Sequence, residues 1–204
     1  MFPALKKQKL ASRFGGFALE VFSVVFAVLL ALVANDWRES RSTEELTQRS
    51  IASIKQELET NLILVQNAHE HHGKILDFIR KRLPTKGEPS KATADSILAE
   101  LYKEGIIKPA AVVAIAWSTA QISGGIQGID FDVVLSFSKV YAFQNDYQRA
   151  TQATNNAMNI ARFIGAESSS ILAGIYESVN THWWHEKRLI EAYNEAIKNI
   201  TQTN

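Results

Sequence analysis

Apolar and polar residues follow two rhythms along this chain. From Phe17 to Ala34, FALEVFSVVFAVLLALVA, about 18 positions carry one charged side chain, Glu20. Beyond Asn35 the apolar residues thin into a stripe, with Ile51, Ile54, Leu58, Leu62 and Val65, then Leu76, Ile79 and Leu83, mostly at spacings of three and four. That is the period of a helix with one buried face. No Pro or Gly interrupts the chain from Phe17 to His72, so the pattern predicts one helix running to about Leu83, where Pro84 stops it. PTKGEPSKATAD, Pro84 to Asp95, reads as a solvent loop. Ser96 to Glu104 predicts a short helix ended by Gly105, and AAVVAIAWSTAQIS, opened by Pro109 and closed by Gly124 and Gly125, predicts a second. Asp130 is placed to cap a helix from Phe131 to about Phe163. Ser168 to Ser170 can cap a last one, to about Thr201, whose stripe includes Leu172, Ile175, Val179, Trp183, Ile190, Tyr193, Ile197 and Ile200. The expected fold is all-α, with an N-terminal transmembrane helix continuing into a long helix that packs in an antiparallel helical bundle.

The apolar block matches the roughly 20 residues a helix needs to cross a bilayer. A secretory signal has a shorter apolar core, about 7–15 residues, and a small-x-small cleavage site. Cleavage after Ala34 would put Leu32 where a small residue is wanted, so the block is expected to remain as an anchor. Lys6, Lys7, Lys9 and Arg13 precede it without an acid among them, whereas Arg38 and Arg41 follow it mixed with Asp36, Glu39, Glu44 and Glu45. The excess of positive charge on the first side favours a cytoplasmic N-terminus. The expected division is a basic cytoplasmic segment over 1–15, a transmembrane helix over 16–36 and an extracytoplasmic helical domain over 37–204. Glu20 needs an account, because a carboxylate in hydrocarbon costs kilocalories. Gly16, Glu20, Ser23, Ala27, Ala31 and Ala34 share one helix face, and small residues at that period let two helices approach closely in lipid. A partner helix, from a second copy or another membrane protein, is expected there.

Composition narrows the chemistry. A net charge of +1 gives no field for nucleic acid, and the absence of cysteine excludes disulfides, thiol nucleophiles and Cys-based metal sites. All five histidines fall in two clusters, HEHH (His69, His71, His72) and HWWHE (His182, His185). An i,i+3 pair on each of two packed helices, His69 with His72 and His182 with His185, would present four nitrogens to zinc or another divalent ion. The competing reading has partly buried imidazoles bonded to Glu70, Glu186 or backbone. A third has a titrating cluster. Trp117, Trp183 and Trp184 read as core, and SGGIQGID lacks the Lys-Ser/Thr of a phosphate loop, leaving a turn that ends in the Asp130 cap. Lys81, Arg82, Lys86 and Lys91 read as a solvated face. No arrangement of catalytic residues is apparent, and no cofactor is implied.

Glu20, the closing ALVANDWRESR and a helix containing IKQELETN together resemble a family of uncharacterised bacterial single-pass inner-membrane proteins, over residues 15 to 65. HEHHGKIL, WSTAQISGGIQGIDFD and VYAFQNDY extend the likeness more weakly. The resemblance implies an anchored helical domain and carries no catalytic residue. The expectation is a non-enzymatic interaction or accessory protein, in contact with the lipid bilayer and assembling with itself or a membrane partner. A periplasmic ligand-sensing bundle acting through a partner is the alternative, and a histidine metal site the third reading.

Overall fold

The computed structural model describes residues 7–163 and 165–203, and the side chains of these except 7–18, 104, 159–163 and 203. Among the described residues it contains five helices and no strand: α1 (Lys7–Arg82), α2 (Lys91–Glu104), α3 (Ile115–Ser123), α4 (Phe131–Phe163) and α5 (Ser168–Thr203). The all-α expectation holds. The chain divides into two compact units between Leu46 and Thr47.

The first unit is the early part of α1. This helix is long and apolar enough to cross a membrane, and none of its most apolar window is buried within the chain. Phe22, Phe26, Leu30 and Val33 are all more than half exposed. Ala27, Ala31 and Ala34 are exposed as well, and Ser23 donates its hydroxyl to the Glu20 carbonyl at 2.8 Å. Gly16 lies in α1, among the residues whose side-chain surroundings fall outside those described.

In the second unit α4 and α2 both pack along α5. Two apolar clusters form its core. One gathers Ile54, Leu58 and Val65 of α1 with Trp117, Phe137, Val140, Leu189 and Tyr193; the other gathers Ile75, Leu76 and Ile79 with Ile97, Leu101, Leu172, Ile175 and Val179. Between these sets α1 carries the fully buried His72, and α5 carries the fully buried His182 and Glu186.

Two boundaries differ from expectation. Helix α2 begins at Lys91 instead of Ser96, because Ser90 caps it: the Thr93 N–H donates to Ser90 Oγ at 3.2 Å. Helix α3 begins at Ile115, and residues 105–114 are not helical. Pro109 can open a helix, but the backbone groups after it are taken by side chains of α1 and α4, and tertiary bonding overrides local propensity. The glycine-rich turn packs directly on α1. A Cβ on Gly125 would lie 2.0 Å from Ser50 Oγ, and one on Gly128 would lie 2.6 Å from Thr47 Oγ1. Gly124 closes α3 in the left-handed region at φ 79°. The Asp130 side chain accepts from the Asp132 N–H at 2.9 Å at the head of α4.

Candidate functional site: a buried histidine and carboxylate cluster

A non-helical segment inside a helical unit must find partners for its backbone groups, because a buried peptide group left unpaired costs about as much as a lost hydrogen bond. Side chains of α1 and α4 supply them along residues 105–116. His71 Nε2 bonds the Gly105 carbonyl at 3.0 Å, and the Lys108 N–H donates to His72 Nε2 at 3.2 Å. The Ala110 N–H donates to the Tyr147 hydroxyl at 2.7 Å. Asn61 holds Val113 at both ends, donating to its carbonyl at 2.7 Å and accepting from its N–H at 3.2 Å. Gln144 adds a second donor to the same carbonyl, and Glu57 accepts the Ala116 N–H at 2.8 Å.

Two buried carboxylates organise this ladder, each meeting a tyrosine of α4. Glu57 accepts from Tyr141 at 2.7 Å and Glu186 from Tyr147 at 3.0 Å. Glu186 is fully buried, and His72 Nδ1 lies 2.9 and 3.0 Å from its two oxygens. No lysine or arginine among the described residues pairs with Glu186. Burial first, and the neighbouring carboxylates next, push both phenols above the ordinary tyrosine range, so they remain protonated donors.

Hydrogen-bond partners assign the protons. A backbone N–H can only donate, so His72 Nε2 presents its lone pair to Lys108, and Nδ1 carries the hydrogen that Glu186 accepts. His182, also fully buried, donates from Nδ1 to the Ser178 carbonyl at 2.8 Å, while Nε2 faces Thr151 Oγ1 at 3.3 Å. Desolvation, the largest cause, holds His182 below the usual histidine range, and it does the same to His71.

The four imidazoles considered for metal binding are partly brought together. The His72 and His182 rings are 5.7 Å apart. His69 instead stacks on Trp183 at 4.7 Å and bonds the Trp183 carbonyl through Nδ1 at 3.2 Å. His185 is half-buried. Among the described residues no three His, Asp or Glu side chains form a group that could hold a metal ion. What the histidines display is bonding to Glu186, to Thr151 and to backbone. Trp117 is buried and stacks on Tyr141 at 5.3 Å, Trp183 is half-buried under His69, and Trp184 is half exposed.

Glu57, Asn61, Tyr141, Gln144 and Tyr147 are absent from the sequence-based candidates. The available signal was phase: Glu57 and Asn61 follow Ile54 and Leu58 by three positions and lie on the same helix face as the apolar stripe. No family model, curated protein or solved structure matches this chain.

Proposed function

We propose that this protein is a non-enzymatic, single-pass membrane protein whose helical unit acts as an interaction or accessory module. The observation that carries the reading is the apolar block of α1, whose most apolar window is not buried among the described residues. An uncovered stripe of this size is stable against lipid or a partner helix and unstable in water. The basic flank before the block supports a cytoplasmic N-terminus and a periplasmic helical unit at a bacterial inner membrane. The polar cluster supports a structural role for the buried groups. His72, His182 and Glu186 are fully buried and already bonded to one another or to backbone, so these three side chains are engaged within the fold.

The face Gly16, Glu20, Ser23, Ala27, Ala31 and Ala34 is the surface assigned to self-assembly or to a membrane partner. A photo-crosslinker placed at Ala27 or Ala31 in native membranes is expected to capture a second copy or another membrane protein, and the same probe at Val25 or Leu29 only lipid. Extraction of the intact chain by alkaline carbonate, or identical lipid-only products from both faces, would refute the proposal.

A second reading, ligand sensing, has one observation in its favour. A cleft of about 530 Å³ lies between the segment at Gly105 to Ile107 and helices α4 and α5, reaching Met158, Ile171, Gly174 and Ser178. Its volume falls within the range of small-molecule sites. Thermal-shift screening with uncharged metabolites tests it, and Gly174→Leu, which fills the cleft, should abolish any shift found.

A further inference from the structure

His72 stands between two partners that make opposite demands on a proton. Through Nδ1 it donates to Glu186, and through Nε2 it accepts from the Lys108 N–H. A proton added at Nε2 turns the first contact into an ion pair, which strengthens the bond between α1 and α5. The same proton sets Nε2–H against the Lys108 N–H, two donors 3.2 Å apart with no acceptor between them. The adjoining backbone is tethered independently on both sides, by His71 at Gly105 and by Tyr147 at Ala110. Pro109, within the stretch, has no N–H to offer elsewhere.

We propose that His72 is a proton-operated latch: charging it tightens α1 on Glu186 and unseats Ile106–Pro109, lifting the buried Ile106 from the core and reshaping the wall of the Gly174 cleft. The groups that face the ring are named readily. From α5 these are Glu186 and, 5.7 Å away, His182, with His185 beyond it. From α1 there is His71, whose ring centre is 5.5 Å away. From α4 there is Tyr147, through Glu186. From the segment there is Lys108, whose ammonium acts on His71. Lys74, Glu100 and Lys103 line a surface cleft with His71 and reach the solvent side only. Glu186 is the carboxylate that touches the ring.

His182 is the competing acceptor, and it differs in consequence. Its Nε2 faces Thr151 Oγ1, whose one hydrogen can be given to a neutral ring or turned to the Tyr147 carbonyl so that the oxygen accepts from a charged one. A proton there asks only for the rotation of a hydroxyl. The inference is independent of how α1 is anchored, and it adds a regulated step to a unit otherwise explained by packing.

The test uses the full chain in detergent micelles. Imidazole nitrogen shifts follow the protonation of His72 between pH 8 and pH 5, and amide exchange, corrected for its intrinsic pH dependence, follows the segment. Protection at Lys108, whose N–H the ring accepts, is expected to fall by about tenfold or more as the ring charges, while Val113 and Ala116, held by Asn61 and Glu57, keep theirs. His72→Gln retains an acceptor and cannot be charged, and it should remove the pH response. If that variant does not fold, the nitrogen shifts of the unmodified chain still decide. A His72 that stays neutral to pH 5, a proton that goes to His182 instead, or protection lost equally at Val113 overturns the proposal.

Discussion

Replacing Tyr147 with phenylalanine separates the polar ladder from ordinary packing. The ring is 1 % exposed and would keep its place, so the substitution removes one oxygen and its two bonds. One is the donation to Glu186 at 3.0 Å, and the other is the bond accepted from the Ala110 N–H at 2.7 Å. A hydrogen bond to a charged group contributes about 1.5–3 kcal/mol, and a backbone N–H left buried without a partner costs about 1–3 kcal/mol. Tyr147→Phe should therefore destabilise the helical unit by about 3–5 kcal/mol. At roughly 2–4 °C per kcal/mol for a unit of this size, thermal unfolding followed by circular dichroism should shift down by about 6–20 °C. Tyr193 provides the matched control. It is fully buried, and its hydroxyl, beside Asn61, meets no partner in hydrogen-bonding geometry. Tyr193→Phe should change stability by no more than about 1 kcal/mol in either direction. Equal losses from the two substitutions, or a loss below about 1 kcal/mol from Tyr147→Phe, would show that the ladder does not carry the weight assigned to it.

Three further outcomes follow from the same geometry. Burial holds His71 and His182 below the usual histidine range, so the folded chain favours neutral rings while the unfolded chain takes up protons near pH 6.5. Their contribution to stability is thus complete above about pH 6.5 and lost as pH falls toward the folded values; a melting temperature that is flat or rising from pH 7 to pH 5 would contradict this sign. Gly125→Ala places a methyl group 2.0 Å from Ser50 Oγ and should cost about 1–3 kcal/mol in a denaturant titration, part of it recovered by adding Ser50→Ala. Gly174→Ala meets no atom within 4 Å inside a helix and should instead stabilise by about 0.5–1 kcal/mol, so the two glycine substitutions are expected to differ in sign.

Periodicity made the helices legible. The stripe from Ile51 to Ile79 lies on the buried side of α1, and Pro84 follows the helix end it was expected to mark. The histidines lay on the expected face for the same reason: His72 continues the phase of Leu58 and Val65, and it is fully buried. Residues 105–114 could not be read in this way. AAVVAIAW has the composition of a buried helix, and what keeps its first half unwound is bonding to Asn61, Tyr147 and His72, residues 36 to 52 positions distant. Local propensity holds no record of such partners. Glu57, in phase with Ile54, was the visible trace, since a charged residue on a buried face implies a donor that the local sequence does not name. The small-residue face of the apolar block was legible as a pattern, and every described side chain on it is exposed.

The ladder has a consequence for how the polypeptide matures. Glu186 completes the seat of His72 and Tyr147, yet it is synthesised more than a hundred residues after His72, when the apolar block of α1 has long left the ribosome. The side chains that hold residues 105–116 belong to α1 and α4 and are made before it, so what waits for α5 is the carboxylate that His72 and Tyr147 share. A nascent product stalled before α5 would also leave Leu58, Trp117 and Phe137 without Leu189 and Tyr193 of the same core, a ready target for quality-control proteases.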